Sequence, residues 1–145
     1  MLLLEKLLIF SPNAKSIVTG GKDGIARIWE IATGNVIAEF PGHAQAVVDA
    51  NFSPDGNLIV TASADGVRVW GTKTGKLISL LRSDGSDSNL FFTATFSPDG
   101  SLIVAAGYDN FAHIWDAGTT RLIRTLRVPL NGPVWSAVFS PDAGL

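Results

Sequence analysis

The chain has 145 residues, of which 46% are hydrophobic and 17% charged, so a folded domain with a buried core is expected and disorder is not. The net charge of -2 argues against nucleic acid as the main partner, and no segment approaches the roughly 18 apolar residues of a membrane-spanning helix. The absence of cysteine excludes disulfides and thiolate chemistry. The apolar start at Met1–Leu4 is too short for a signal peptide, so the expected location is the cytoplasm.

Strand-forming segments follow one another in the same order in each third of the chain. The first third predicts strands at Ser16–Gly20, Ile25–Trp29 and Val36–Phe40. The second predicts four strands, at Val47–Phe52, Leu58–Ser63, Val67–Trp70 and Leu77–Leu81. The last third predicts strands at Leu102–Ala106, Phe111–Trp115 and Leu122–Leu126. Turn sequences such as Ser53-Pro54-Asp55-Gly56 separate them, since proline and glycine set the required dihedral angles.

The tripeptide Phe-Ser-Pro occurs four times, and its phenylalanines are 42, 44 and 43 residues apart. They are Phe10, Phe52, Phe96 and Phe139. The first three copies are followed by tryptophans 19, 18 and 19 residues later, at Trp29, Trp70 and Trp115. A period in the low forties with four short strands per unit is typical of β-propeller blades.

The sequence therefore predicts an all-β, partial propeller that occupies residues 1–145 as a single domain. Its three four-stranded antiparallel blades cover about residues 5–40, 47–81 and 90–126, and an extra innermost strand at 134–139 begins a fourth unit at 134–145. Closed propellers have about four to eight blades. We therefore expect an open arc, which self-association would complete, or else a piece of a longer propeller.

At these motifs the chain resembles the WD-repeat family of β-propellers. The second repeat contains Gly42-His43, Phe52 to Gly56, Asp65-Gly66 and Trp70, and the third retains Trp115-Asp116. The resemblance covers residues 7–142 and implies a structural tetrad, joined by hydrogen bonds and formed by His43, Thr61, Asp65 and Trp70. The turn after Asp65 is one residue shorter than in the other repeats, so a distorted tetrad is one expectation.

Three of the tetrad residues could also be interpreted as a catalytic triad, with Thr61 as the nucleophile and His43 and Asp65 as its partners. We favour the structural interpretation, in which each hydrogen bond contributes about 1 kcal/mol. No second set of convergent polar residues is evident, and no glycine-rich phosphate loop follows a strand. Neither an enzymatic activity nor a cofactor is therefore expected.

Three further features have ordinary structural explanations. His113 is expected to face outward into solvent, and two distant histidines without cysteine do not predict a metal site. The segment 83–89 is rich in oxygen ligands but lacks the acidic pattern of a calcium loop, so we interpret it as a flexible connection. The exposed arginines of the last outer strand discourage unwanted strand addition, and are Arg121, Arg124 and Arg127.

The face that carries the blade-joining loops is the predicted partner-binding face. Its candidate residues are chosen by position and by the frequency of aromatic residues and arginine at binding hot spots. They are Lys22, Gln45, Asn89, Phe92, Tyr108, Arg127 and Trp135. Phe92 and Trp135 could instead pack toward a neighbouring blade.

The expected function is a non-catalytic scaffold that binds protein or peptide partners. The alternative is a regulatory or sensor segment of a larger multidomain protein, for example one linked to a kinase or protease domain. A hydrolytic enzyme is the third hypothesis, and fold alone does not decide among them.

Overall fold

A computed structural model describes residues 9–83, 90–129 and 132–142. Within these ranges the chain forms twelve strands and no helix. The first sheet contains β1 (Ile9–Phe10), β2 (Ser16–Gly20), β3 (Ile25–Glu30) and β4 (Val36–Pro41). The second contains β5 (Val47–Phe52), β6 (Leu58–Ser63), β7 (Gly66–Gly71) and β8 (Leu77–Leu81). The third contains β9 (Phe91–Phe96), β10 (Leu102–Gly107), β11 (Phe111–Asp116) and β12 (Leu122–Arg127).

Each sheet is one blade, with its strands hydrogen-bonded antiparallel in chain order. The three sheets remain separate and do not close into a ring. The predicted all-β partial propeller is therefore confirmed, and the ten strands predicted within the blades agree with the observed ones to within one residue at each end.

The first three Phe-Ser-Pro copies close the turn between the first and second strands of a blade. Ser53 Oγ donates to Asp55 Oδ1 at 2.6 Å and accepts from the backbone N–H of Leu58 at 2.9 Å. The third blade repeats these bonds with its own serine and aspartate. Gly56 has φ of 74°, a conformation that side chains disfavour, which explains the glycine that ends this motif.

The hydrophobic core lies between blades. One cluster joins the first and second blades and includes Trp70, which is 2% exposed. The other joins the second and third blades and includes Trp115, which is 1% exposed. Each of these tryptophans therefore packs against the blade that precedes its own, whereas Trp29 is only partly buried.

Residues 134–139, the expected innermost strand of a fourth unit, lie beside the third blade. The N–H of Val134 donates to the carbonyl of Gly107 at 2.7 Å, but the segment forms no strand ladder. In the three blades, the innermost strand pairs with the second strand of the same blade. The described part of the chain holds no second strand for this segment, and the predicted innermost strand is not formed there.

Candidate functional site

The four tetrad residues come together in the second blade despite the shortened turn. Trp70, on β7, donates its indole N–H to Thr61 Oγ1 on β6 at 2.9 Å. His43, in the loop after β4, has its Nε2 2.7 Å from the same hydroxyl and its Nδ1 2.6 Å from Asp65 Oδ1. Asp65 Oδ2 accepts the backbone N–H of Ala44 at 2.7 Å. The chain of bonds is consistent with a neutral imidazole, in which Nδ1–H donates to the carboxylate and Nε2 accepts the hydroxyl proton.

Glycine precedes His43 for a geometric reason. Gly42 has φ of 148°, and a Cβ at this position would lie 3.1 Å from the six-membered ring of Trp70. A side chain here would therefore be strained and would press on the tryptophan. The Gly-His pair places the imidazole above Thr61 while the backbone passes close to the indole.

The surroundings of the tetrad lower the pKa values of both of its titratable members, His43 and Asp65. Burial lowers the pKa of His43, and the nearby Arg68 guanidinium adds to this effect against the opposing influence of Asp65. Burial alone would raise the pKa of Asp65, but hydrogen bonds from Ala44 N–H, His43 and Arg68 outweigh it and hold the pKa at about 2. The pair therefore consists of a neutral imidazole and an ionised carboxylate at neutral pH.

The arrangement offers a substrate no route to a nucleophile. Thr61 is 0% exposed, and its hydroxyl is already engaged by the indole and the imidazole. The bonds of His43 to Thr61 and Asp65, and of Ala44 to Asp65, tie the loop after β4 to β6 and to the turn that follows it. This geometry supports the structural interpretation of His43 and Asp65 over the catalytic one.

Arg68 is a fifth participant that the sequence analysis did not identify. It lies on β7 opposite Thr61, and its Nη1 donates to Asp65 Oδ1 at 2.9 Å while the guanidinium also lies against His43. Its position on the third strand is equivalent to that of Arg27 in the first blade, where the guanidinium pairs with Asp23 and Glu39 at the surface. In the sequence, arginine precedes the repeat tryptophan by two residues in the first and second repeats, and this recurrence could have indicated its role.

His113 contradicts the expectation of an outward-facing, solvated residue. It is 3% exposed, its Nε2 lies 2.6 Å from Asp109 Oδ2, and the rings of Phe91 and Trp115 contact it. In the third blade the blade-joining loop supplies no histidine to the turn aspartate. His113, on the third strand of the blade, turns inward and pairs with the turn aspartate Asp109. In the second blade the histidine of the equivalent pair comes from the blade-joining loop instead.

The tryptophan of the third blade also has a different hydrogen bond. Ala105 stands at the position of Thr61 and has no hydroxyl. The indole N–H of Trp115 instead donates to the carbonyl of Arg82 at 3.2 Å. In the first blade Trp29 donates to Thr19 at 2.9 Å. The first two blades thus bind the indole N–H with an equivalent threonine hydroxyl, and the third uses a backbone carbonyl instead.

Asp49 forms a second polar cluster that was not anticipated. On β5, its Oδ2 accepts hydrogen bonds from Thr93 Oγ1 and Ala94 N, both at 3.0 Å, on the innermost strand of the next blade. Asn51 Nδ2 adds a bond of 2.6 Å to the carbonyl of Ala94. Burial raises the pKa of Asp49. The carboxylate links the second and third blades near the axis of the arc.

The predicted partner-binding residues fall into two groups on the loop-bearing face. Lys22 and Gln45 are exposed in neighbouring loops, which are linked by a 3.0 Å bond from Val47 N–H to the Gly21 carbonyl. The second group surrounds the turn between β10 and β11, and comprises Phe92, Tyr108, Arg127 and Trp135. Asn89 lies outside the described residues, as does most of the oxygen-rich segment 83–89.

Three aromatic side chains of the second group form what we call the aromatic patch: Phe92, Tyr108 and Trp135. The rings of Phe92 and Trp135 stack with centroids 4.9 Å apart and an angle of 13° between their planes. Trp135 nevertheless remains 56% exposed, and Tyr108 is 61% exposed. Trp135 therefore packs on Phe92 and still leaves more than half of its surface open to a partner.

The opposite end of the blades holds an open cavity of about 320 Å³. The turns of the Phe-Ser-Pro repeats surround it, and its lining includes Phe10, Phe52, Phe96 and Phe139.

Among the residues that the structure describes, no group of three or more histidine or acidic side chains could hold a metal ion. The same part of the chain contains no helix long and apolar enough to cross a membrane.

The family model described as WD domain, G-beta repeat matches residues 7–30, 34–70 and 76–116, together more than half of the chain. The chain belongs to the WD-repeat family. Each matched segment of this WD-repeat chain ends at the third strand of a blade, and the second and third segments begin with the fourth strand of the preceding blade.

Several curated proteins are similar to this WD-repeat chain. Autophagy-related protein 16 of Arabidopsis thaliana is 28% identical over 141 residues, which cover 94% of the chain and 28% of that protein. THO complex subunit 6 of the same plant is 24% identical over 121 residues, which cover 83% of the chain and 33% of that protein. SEC12-like protein 1 is 34% identical over 86 residues, which cover 59% of the chain and 22% of that protein. The WD-repeat chain thus spans about a third or less of these relatives.

Proposed function

We propose that the chain is a non-catalytic interaction module that binds a protein or peptide partner through its loop-bearing face. The relatives are named as an autophagy-related protein, a THO complex subunit and a SEC12-like protein. Repeats of one family thus occur in proteins of different processes, which supports a general scaffold role. The lack of cysteine fits a reducing compartment, and we extend the proposal to a cytoplasmic location without nucleic acid as a partner.

The aromatic patch is the observation on which this proposal rests. Trp135 is 56% exposed, yet its ring is held in place by stacking on Phe92. A large aromatic ring that is already fixed loses little conformational freedom when a partner covers it. Tryptophan, tyrosine and arginine are the residues that most often dominate binding energy, and Tyr108 and Arg127 flank the same turn.

Peptide selection against the purified chain tests the proposal. Peptides obtained by display on the wild-type chain are measured by fluorescence anisotropy with Trp135→Ala, Tyr108→Ala and Ile78→Ala. Ile78 is the matched control, because it is also 56% exposed but lies on an outer strand. We expect either patch variant to weaken binding by about tenfold or more, and the control to bind as wild type. Binding that survives both patch substitutions would contradict the proposal.

A regulatory segment of a larger protein is the second candidate. The chain covers 28% of Autophagy-related protein 16 and 33% of THO complex subunit 6, so its relatives contain much additional sequence. Under this alternative the patch would bind a domain of the same protein. A selected peptide that matches sequence encoded next to this segment in its gene would favour the alternative over an independent partner.

A further inference from the structure

A second cavity, of about 480 Å³, lies between the first and second blades, at the end of the blades opposite the loop-bearing face. All of its lining residues belong to these two blades, and they include the turns β1–β2, β5–β6 and β7–β8. The apolar side chains of the lining are Pro12, Ile28, Ile37, Ala38 and Phe52. The volume falls within the range of about 300–1,000 Å³ that is typical of ligand pockets.

The junction between the second and third blades provides a direct comparison, because the same repeat positions meet there. Leu58 stands at the position of Ser16, since the carbonyl of each accepts the backbone N–H of the serine in its own Phe-Ser-Pro motif. Leu58 packs against the core cluster of that junction, as do Ala117 and Leu122. An apolar side chain therefore fills at the second junction the position that a small serine leaves open at the first.

Neighbouring side chains show the same difference in packing. Phe96 is 7% exposed, whereas its counterpart Phe52 is only partly buried. Leu122 packs against the core cluster of its junction, whereas its counterpart Leu77 is 49% exposed. The first junction thus leaves apolar surface uncovered that the second junction buries.

The cavity does not come from a wider separation of the blades. A Cβ at Gly56 would lie 3.6 Å from Pro12 Cδ, and a Cβ at Gly100 would lie 3.4 Å from Pro54 Cδ. The turns of neighbouring blades therefore approach each other to nearly the same distance at both junctions. The open volume follows from the small side chain of Ser16.

Lys73 is a charged lining residue that has no counterpart at the other junction, where Gly118 stands at the equivalent position. Among the described residues, no carboxylate lies within ion-pair distance of Lys73. Asp55, the acidic lining residue, accepts hydrogen bonds within its own turn. The cavity therefore combines an unfilled apolar site with a cation that is available to a ligand.

We propose that a partner protein docks an extended peptide segment in this cavity, with one leucine-type side chain packed on Phe52 and a neighbouring carboxylate paired with Lys73. Leu58 supports the apolar anchor, because it shows which kind of side chain the equivalent position accepts in this same chain. Lys73 supports the acidic neighbour by charge complementarity. The exposed amides of Asn13 and Asn57 also line the cavity and can bond to a peptide backbone. This site is separate from the aromatic patch and lies at the other end of the blades.

Ser16→Leu tests whether the cavity is the binding site, because it gives the first blade the residue that the second blade has. The added side chain fills apolar space, so the thermal unfolding midpoint should rise by about 2 °C or more. The same variant should no longer accept the peptide anchor. Ser16→Ala is the matched control, since it removes the hydroxyl and leaves the cavity open.

Short random peptides displayed on phage are selected on the Trp135→Ala chain, with Ser16→Leu for counterselection. Trp135→Ala lacks a ring of the aromatic patch, so failure here is distinct from failure of the proposed function. We expect peptides with an aliphatic residue beside an acidic one, whose affinity in fluorescence anisotropy falls about tenfold or more in Ser16→Leu and about threefold in Lys73→Glu. Ser16→Ala and Lys76→Glu should bind as wild type, because Lys76 is exposed in the same turn as Lys73 but does not line the cavity.

Ile37→Glu gives an independent test that requires no larger residue to be accommodated. Ile37 lines the cavity, and the equivalent Ile78 belongs to the blade whose cavity position Leu58 fills; both are 56% exposed. We expect about tenfold weaker binding for Ile37→Glu and unchanged binding for Ile78→Glu, with circular dichroism to verify that each variant is folded.

Three results would overturn the proposal: no selected peptide distinguishes wild type from the folded cavity variants, serine in place of the aliphatic peptide residue leaves binding unchanged, or Ile78→Glu weakens binding as much as Ile37→Glu. Selected sequences that occur elsewhere in the gene of this chain would overturn the assignment to a separate partner.

Discussion

Replacing Asp65 with alanine measures how much the polar tetrad stabilises the second blade. The carboxylate accepts bonds from His43 Nδ1 at 2.6 Å, Ala44 N at 2.7 Å and Arg68 Nη1 at 2.9 Å. Its side chain is 21% exposed, so water can replace part of what Ala44 and Arg68 lose. The side chain of His43 is 0% exposed, and its N–H would stay unpaired in the variant. An unpaired buried donor costs about 1–3 kcal/mol, which is the expected loss of unfolding free energy.

Urea denaturation followed by tryptophan fluorescence measures this loss, with Asp23→Ala as the matched control. Asp23 is the equivalent turn residue of the first blade, but its side chain is 50% exposed and pairs with Arg27 at the surface. Exposed ion pairs contribute little, so the control should lose clearly less stability than Asp65→Ala. An Asp65→Ala midpoint equal to that of wild type, or no lower than that of Asp23→Ala, would refute the structural role of the tetrad.

Two further predictions concern titration and the junction between inner strands. Because burial lowers the pKa of His43 below its ordinary 6.5, the stability from its neutral form is complete above that value and is lost as the pH falls below it. Denaturation midpoints between about pH 7.5 and 5.5 should therefore fall for the wild type and fall less for His43→Gln. Asp49→Ala should lower the unfolding free energy by about 1–3 kcal/mol, because Ala94 N–H and Thr93 lose their acceptor, and hydrogen exchange at Ala94 should accelerate. Since burial raises the pKa of Asp49 above 3.8, its ionised form costs stability, and this cost should diminish as acid protonates it. An Asp49→Ala variant with unchanged exchange at Ala94 would contradict the proposed link.

The repeating strands and turns were predictable because their causes are local. Ser53, Pro54 and Gly56 specify a turn through their own hydrogen bonds and dihedral angles, and the same spacing recurs along the chain. Alternation of apolar residues then fixes which side of each strand is buried. The positions of the tetrad residues followed from the resemblance, and the structure brings those four side chains within hydrogen-bonding distance.

Other features depended on residues far apart in the chain. His113 turns inward because the blade-joining loop brings no histidine to Asp109, a fact about the third blade as a whole. Asp49 is buried because β9 of the next blade packs beside β5, which strand pattern alone does not reveal. Arg68 joins the tetrad only because β7 places it opposite Thr61.

By itself the sequence determined the period, the strand order and the class of fold, since turn chemistry and side-chain alternation act over a few residues. Only the tertiary structure decided which equivalent residues are buried. Trp29, Trp70 and Trp115 share one local sequence context, yet the second and third are buried and the first is only partly buried. Burial in a propeller depends on the neighbouring blades, so equivalent repeat positions acquire different environments.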